Sequence, residues 1–255
     1  MVKPDNVSRA TWNQLSTEYQ ARRAGDTATV DYGPWAPTED ELHLLGDVAG
    51  QRVLEIGCGG GQAAVALARR GAHITAIDIS DAQIARARER AAAAGVAVEF
   101  HRGDAADLTP CADGSQDLVL SVYTFPYVAD MARCLQECRR VLRPGGRLVF
   151  SLDHPLRACF FDEVDQEMVV YPVRSYFAAA PLRWTFDDTD IPMQSHHRTV
   201  AGWIDLLHGH GFRLLRLLEP QPAAPVLDHF WPPEDALAPL RHIPHTAIFV
   251  AQAGV

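Results

Sequence analysis

The sequence predicts a doubly wound α/β fold built around a mostly parallel sheet. Between about residues 51 and 153, short aliphatic runs alternate with longer amphipathic stretches, which is typical of repeated βαβ units. Gly71, Gly95 and Gly145 stand where the intervening helices should stop. With 255 residues, 47% of them hydrophobic, the chain is long enough to bury one substantial core.

The individual elements follow from their local patterns. Helices are predicted at residues 10–23, 39–48, 62–70, 81–94, 130–142 and 200–210, and strands at 52–56, 73–77, 97–101, 117–121, 146–152, 212–218 and 246–251. Residues 154–195 are rich in aromatics, prolines and acids with weak periodicity, which indicates an insertion over one edge of the sheet. We expect an N-terminal helical lid at 1–50 and a main domain at 51–255, with the insertion at about 154–195.

Composition argues against several classes of partner. The formal net charge of −9 gives no reason to expect a nucleic-acid partner. No run approaches the roughly 18 to 20 apolar residues of a membrane span, and the first residues lack the apolar block of a secretory signal. Five scattered cysteines favour free thiols, and no metal site is predicted. We expect a cytoplasmic monomer or homodimer without membrane contact.

The strongest functional signal is the segment VLEIGCGGG, residues 53–61. A buried strand reaches Glu55, glycines follow at 57, 59 and 61, and a helix begins near Gln62. Such glycines let the backbone turn sharply and approach a ligand, while the helix N-terminus presents free amides. The dinucleotide fingerprint G-x-G-x-x-G requires a third glycine at position 62, so Gln62 counts against a nicotinamide site.

Two further acids follow the next two predicted strands. Asp78 lies about where a ribose-binding carboxylate is expected after the glycine-rich turn. Asp104 comes just past the third strand and can accept from an adenine amino group, with Ile79 and Ala105 as apolar walls. Singly, each acid is as readily a helix cap or a turn residue. Their order on successive strand ends favours a nucleoside site.

The segments VLEIGCGGG, AIDIS, GDAADL, DLVLS and RVLRPGGRLVFS together resemble the class I S-adenosylmethionine-dependent methyltransferases over about residues 50–152. The resemblance implies a seven-stranded sheet with an antiparallel last strand, and S-adenosyl-L-methionine lying across the carboxyl ends of the first four strands. It places the methionine part near the glycines, the ribose at Asp78, the adenine at Asp104, and Ser121 beside the sulfonium. The cofactor-binding set implied in this way is Tyr19, Glu55, Gly57, Cys58, Gly59, Asp78, Ile79, Asp104, Ala105 and Ser121.

Candidates for catalysis come from loops at the carboxyl ends of strands, where ligands of open α/β sheets bind. Tyr123 follows the fourth strand, His154 the fifth, and His197 precedes the last helix. A neutral histidine can accept a proton near pH 7, so His154 is the first choice as a base and His197 the second. A structural histidine bonded to a backbone carbonyl is the alternative for both.

The sequence thus predicts methyl transfer to a small aromatic or heterocyclic acceptor through oxygen, nitrogen or sulfur, as in secondary metabolism. The lid and the insertion are apolar and aromatic with few cations, which favours a flat, neutral acceptor over a polyanion. One alternative is a nicotinamide-dependent oxidoreductase on a similar sheet. Another is a noncatalytic cofactor-binding module, which would be expected to have a degenerate glycine loop.

Overall fold

The core of the molecule is a seven-stranded sheet, seen in a computed structural model that describes residues 4–22, 27–186 and 189–254. The strands are β1 Arg52–Ile56, β2 His73–Asp78, β3 Glu99–Arg102, β4 Gln116–Val122, β5 Leu142–Asp153, β6 Phe161–Asp162, β7 Glu167–Met168, β8 Leu182–Thr185, β9 Pro192–Ser195, β10 Phe212–Leu218 and β11 Thr246–Ala253. The α-helices are α1 Pro4–Arg22, α2 Glu39–Leu42, α3 Gln62–Arg69, α4 Asp81–Ala94, α5 Met131–Val141, α6 Val200–Gly209 and α7 Ala224–Phe230.

The strand order across the sheet is β3-β2-β1-β4-β5-β11-β10. The first five strands in this order run parallel, and β11 runs antiparallel to both of its neighbours. The predicted seven-stranded, doubly wound sheet with an antiparallel last strand is therefore confirmed. From β1 the chain adds β2 and β3 on one side and then β4 and β5 on the other, so the order of strand addition reverses between β1 and β4. In such sheets this switch point opens a crevice at the carboxyl ends of the strands.

Sequence patterns explain why the elements around this crevice form. Strand β1 lies at the centre of the sheet and buries four of its five residues. Helix α4 begins after Ser80, whose hydroxyl accepts the Gln83 amide, and it ends at Gly95, which adopts a φ of 68°. Apolar clusters cover both faces of the sheet, one centred on Phe150 and Trp203 and the other on α3 and α4. The sheet therefore holds the loops at its carboxyl end on a rigid base.

The predicted helix at 39–48 is wrong beyond Leu42. His43 turns into the left-handed region with a φ of 49°, which ends α2. The buried carboxylate of Glu39 accepts the amides of Leu44 at 2.9 Å and Leu45 at 2.8 Å, as well as the Tyr32 hydroxyl at 2.7 Å. These bonds satisfy the loop amides that a longer helix would have used.

Residues 154–195 form two short hairpins, β6 with β7 and β8 with β9. Helix α7 lies between β10 and β11, outside the elements that the sequence predicts. No helix of the described part of the chain is long and apolar enough to cross a bilayer.

Candidate functional site

A cavity of about 840 Å³ opens at the carboxyl ends of β1, β2 and β4. We call it the glycine-loop cavity. The predicted site residues that line it are Tyr19, Gly57, Gly59, Asp78, Ile79, Asp104, Ala105 and Tyr123.

Gly57 and Gly59 form one wall of this cavity, and both have positive φ values, 70° and 50°. The Gly57 amide donates to the Ile77 carbonyl at 2.7 Å, which ties the turn to β2. A Cβ on Gly57 would lie 2.1 Å from the Thr124 hydroxyl oxygen, so no side chain fits there. A Cβ on Gly59 would lie 3.6 Å from the Gln20 amide nitrogen, an ordinary van der Waals contact, so this backbone is less crowded than that of Gly57.

Asp78 ends β2 with its side chain against the same loop. One carboxylate oxygen accepts the Gly59 amide at 2.8 Å, and the other accepts the Ser80 amide at 2.9 Å. Burial raises the pKa of this carboxyl, and the two amide bonds act in the opposite direction. Each oxygen retains a lone pair, so a fixed carboxylate can accept further bonds from a ligand in the cavity.

Asp104 follows β3 and closes the far side of the cavity. Its Oδ1 accepts the Ala106 amide at 2.8 Å, which fixes the turn. Apolar side chains surround this end, namely Ile77, Ile79, Ala105 and Val128. An acid beside apolar walls suits a flat, polar-edged ring such as a purine.

Glu55, Cys58 and Ser121 do not line the glycine-loop cavity, in contrast to the predicted cofactor contacts. The Ser121 hydroxyl, fully buried, donates to the Ile56 carbonyl at 3.1 Å and so joins β4 to β1. Glu55 is 3% exposed and accepts the Ala64 amide of α3; burial raises its pKa to about 8. Burial likewise raises the pKa of the Cys58 thiol. All three side chains are buried.

A second cavity, of about 1100 Å³, adjoins the first. We call it the aromatic cavity, because its lining includes Trp35, Tyr127, Phe161, Trp184 and Trp203. Tyr127 lines both cavities. Phe161 and Trp184 come from the hairpins of residues 154–195, and sequence reasoning did not single them out. The only signal for them was the aromatic content of that segment.

His154 lines the aromatic cavity, but both of its ring nitrogens are engaged. Nδ1 accepts the Leu156 amide at 3.1 Å, so in the neutral ring the proton lies on Nε2 and is donated to Glu219 at 2.7 Å. Burial lowers the pKa of His154. With no free lone pair, the ring is poorly placed to take a proton from a substrate.

His197 lines the same cavity with a different arrangement. Its Nε2 donates to the Tyr176 carbonyl at 2.7 Å, which leaves the lone pair on Nδ1. Burial is the main cause that lowers the pKa of His197, so the ring is neutral at pH 7. The geometry therefore favours His197 over His154 as a proton acceptor.

Tyr123 lies at the end of β4 in a left-handed conformation, with a φ of 53°. Its hydroxyl shares a hydrogen bond of 2.8 Å with Thr246 of β11. The Tyr123 ring packs closely on Gly33: a Cβ added to Gly33 would lie 2.1 Å from a carbon atom of the ring. The ring lines the glycine-loop cavity, so β11 and the loop before α2 both help to position it.

His245, beneath the aromatic cavity, should make the stability of the protein depend on pH. It is fully buried, stacks on Trp231 at 3.9 Å and accepts from Arg157 at 3.2 Å. Burial, with a smaller contribution from Arg157, lowers its pKa to about 4. Between the ordinary value near 6.5 and about 4, the unfolded chain binds a proton that the folded chain does not. Acidification through this window should therefore remove up to about 3 kcal/mol of unfolding free energy.

Urea unfolding at pH 7, 6 and 5 measures this loss. His245→Gln should show a shallower decline than the wild type over the same range, even if it begins less stable. Parallel declines in the two proteins would exclude His245 as the source.

Comparison with known proteins connects these cavities with a family. A family model described as "Methyltransferase domain" matches residues 54–150, which run from β1 into β5. The chain is 32% identical over 173 residues to a ubiquinone biosynthesis O-methyltransferase from Xylella fastidiosa (strain 9a5c), covering 62% of this chain and 70% of the relative.

Solved structures agree with this result. An S-adenosylmethionine-dependent methyltransferase from Mesorhizobium loti superposes with a TM-score of 0.67 at 26% identity, over 83% of this chain and 94% of that one. A protein described as a putative methyltransferase of the same kind, from Listeria monocytogenes, gives a TM-score of 0.68 at 23% identity over 85% and 98%, which supports the fold alone.

The nicotinamide-dependent and noncatalytic alternatives are accordingly set aside. An enzyme with this sheet, this glycine-rich turn and these relatives uses S-adenosyl-L-methionine. The chain belongs to the class I S-adenosylmethionine-dependent methyltransferases.

Proposed function

We propose that this methyltransferase acts on a small aromatic or heterocyclic acceptor that binds in the aromatic cavity. The proposal rests on the fact that Tyr127 lines both this cavity and the glycine-loop cavity. An acceptor among the aromatic side chains would thus be a neighbour of the cofactor. The name of the Xylella fastidiosa relative supports oxygen as the attacking atom, with nitrogen and sulfur as the alternatives.

The glycine-loop cavity fits S-adenosylmethionine, which when bound supplies a methyl group already activated on sulfur. In this proposal Asp78 accepts from the ribose hydroxyls, and Asp104 accepts from the adenine amino group beside Ile79 and Ala105. Support comes from the lone pairs that the Asp78 carboxylate retains beside its two amide bonds, and from its place in the lining of the cavity. Tyr19, a lining residue on α1, covers the methionine end.

Because the methyl group is already activated, the protein has mainly to align the acceptor, exclude water and remove a proton where the acceptor carries one. His197 Nδ1 is the proposed proton acceptor. The tautomer required for this task is fixed by the bond from Nε2 to the Tyr176 carbonyl. Tyr123 takes the role of a positioning residue, held by Thr246.

His197→Gln should slow turnover of a hydroxyl acceptor by about 10²- to 10⁴-fold, because general-base catalysis is worth that much. Glutamine retains an NH donor for the Tyr176 carbonyl. His154→Gln serves as the comparison and should change turnover much less. In the wild type, activity should fall as acid protonates His197, at a pH below its ordinary value of about 6.5, since the pKa is lowered.

Steady-state kinetics over pH 5 to 8 test this assignment, together with the affinity for S-adenosylhomocysteine as a check on folding. The acid limb of the pH profile should be lost in His197→Gln. A normal rate and profile in that variant, or a larger loss in His154→Gln, would contradict it.

The function itself is tested by mass spectrometry. The protein is incubated with S-adenosylmethionine carrying a deuterated methyl group and a panel of phenols, hydroxylated heterocycles and aromatic thiols. A labelled member, with labelling suppressed by S-adenosylhomocysteine, supports the proposal. Labelling confined to proteins or nucleic acids in parallel reactions would overturn it. We further propose a cytoplasmic monomer or homodimer, which gel filtration and cell fractionation test.

A further inference from the structure

The aromatic cavity carries an unexpected positive charge. Two arginines line it, Arg157 in the turn after β5 and Arg198 just before α6. Among the described residues that line this cavity, Asp153 is the only carboxylate. Arg198 precedes Thr199, the N-cap of α6, so its backbone is held at the start of a regular helix. A cavity that held only neutral rings would have no need of two guanidinium groups.

Arg157 is fixed in place by its surroundings. Its guanidinium lies 4.1 Å from the centre of the Trp35 ring and donates to His245 Nδ1 at 3.2 Å. Asp153 forms an ion pair with it, with a carboxylate oxygen 3.8 Å from Nε, which is beyond hydrogen-bond distance. The group is therefore a preorganised cation whose charge is only partly balanced.

The Arg198 guanidinium has fewer polar partners among the described residues than that of Arg157. The Arg198 group lies 5.1 Å from the centre of the Trp203 ring, and its Nη1 is buried without a hydrogen-bond partner among the described residues. No carboxylate of residues 4–22, 27–186 and 189–254 forms an ion pair with it. Burial lowers its pKa, yet a guanidinium stays charged at neutral pH. Arg198 is partly buried and has no ion-pair partner among the described residues. A buried guanidinium nitrogen without a partner is costly, so a ligand that accepts from it would explain the arrangement.

We infer that the methyl acceptor is an aromatic acid whose carboxylate binds Arg198, with Arg157 as the second cation of the same cavity. The inference rests on the proposed function, since it takes the aromatic cavity to be the acceptor site. The planar guanidinium matches a carboxylate with two parallel bonds, and the surrounding rings hold the aromatic part. Arg157, Arg198 and Asp153 together give the described lining a net charge of about +1. The single negative charge of a carboxylate balances it, whereas a phosphate dianion would leave an excess of negative charge. This differs from the neutral acceptor that the composition favoured.

The test uses matched pairs of probes. Hydroxylated benzoic and cinnamic acids are each compared with their own methyl esters, which keep the ring and lose the charge. Wild-type enzyme with deuterated-methyl cofactor should prefer the acids over the esters by about 10- to 100-fold in kcat/KM. Arg198→Gln should lose most of this preference. Arg216→Gln, which changes an exposed arginine of β10, should keep it.

A stability measurement separates binding from structure. Without ligand, Arg198→Met should melt at or above the wild-type temperature, because it removes a partly buried cation that has no ion-pair partner among the described residues. Equal turnover of acids and esters, or a preference that survives in Arg198→Gln, would overturn the carboxylate inference while leaving an aromatic acceptor in place. A clear fall in melting temperature with an unchanged preference would assign Arg198 a structural role. No label on any acid or ester would contradict the aromatic acceptor itself.

Discussion

Gly57→Ala is expected to abolish useful cofactor binding and to destabilise the fold. The position has a φ of 70°, where an L-residue costs about 1–2 kcal/mol. The new Cβ would lie 2.1 Å from the Thr124 hydroxyl oxygen, 2.3 Å from its methyl carbon and 2.6 Å from its Cβ. Rotation of the Thr124 side chain cannot relieve the last contact, so the loop after β4 must move. Overpacking of this kind adds about 1–3 kcal/mol.

That loop carries Tyr123 and Tyr127, which line the glycine-loop cavity. We therefore expect affinity for S-adenosylmethionine to fall by on the order of 100-fold, measured by calorimetry. Gly95→Ala is the matched control, because Gly95 has a φ of 68° but nothing within 4 Å of an added Cβ. This control variant should lose only the stability that a positive φ costs an alanine, and it should bind S-adenosylmethionine with normal affinity. Equal losses in both variants would mean that the contact with Thr124 has no effect.

Asp78→Ala should weaken binding of S-adenosylmethionine by about 1–3 kcal/mol, the value of two hydrogen bonds to a charged acceptor. The variant also removes the acceptors for the Gly59 and Ser80 amides, so the turn itself loses support. Both effects act on the same cavity, and calorimetry with S-adenosylhomocysteine measures their sum. Urea unfolding then reports how much of it is structural.

Asp47→Ala is the control for Asp78. Asp47 makes the same kind of local bond, from its carboxylate to the amide two residues later, at 2.9 Å, but in an exposed loop before β1. This variant should bind the cofactor normally. If Asp78→Ala also bound it normally, the assignment of the ribose to this carboxylate would have to be abandoned.

Local patterns predicted the sheet well, because each of β1, β2 and β4 is a short buried run whose register is fixed by its own side chains. The acids at Asp78 and Asp104 were visible for the same reason, since they end such runs. Helix α2 was predicted too long because its end depends on a buried carboxylate that accepts the following loop amides, and no periodicity reveals such bonds.

The choice between the two histidines lay beyond the sequence. Which ring nitrogen stays free depends on Glu219, 65 positions from His154, and on the carbonyl of Tyr176, 21 positions from His197. The same holds for the aromatic cavity, where Arg198 and Trp203 share the lining with Trp35, 163 positions from Arg198. From the sequence alone, Arg157 and Arg198 could not be distinguished from surface arginines, because only the fold brings them into the lining of one cavity.

Strand β11 follows β10 in the chain, yet in the sheet it lies between β10 and β5. During synthesis, β10 therefore has no neighbour to pair with until β11 has left the ribosome, whereas β1 to β5 can already associate. Thr246, which holds the Tyr123 hydroxyl, arrives with that same late strand. A nascent chain can thus associate β1 to β5 early, whereas the bond that fixes the Tyr123 hydroxyl forms only after β11 has been added.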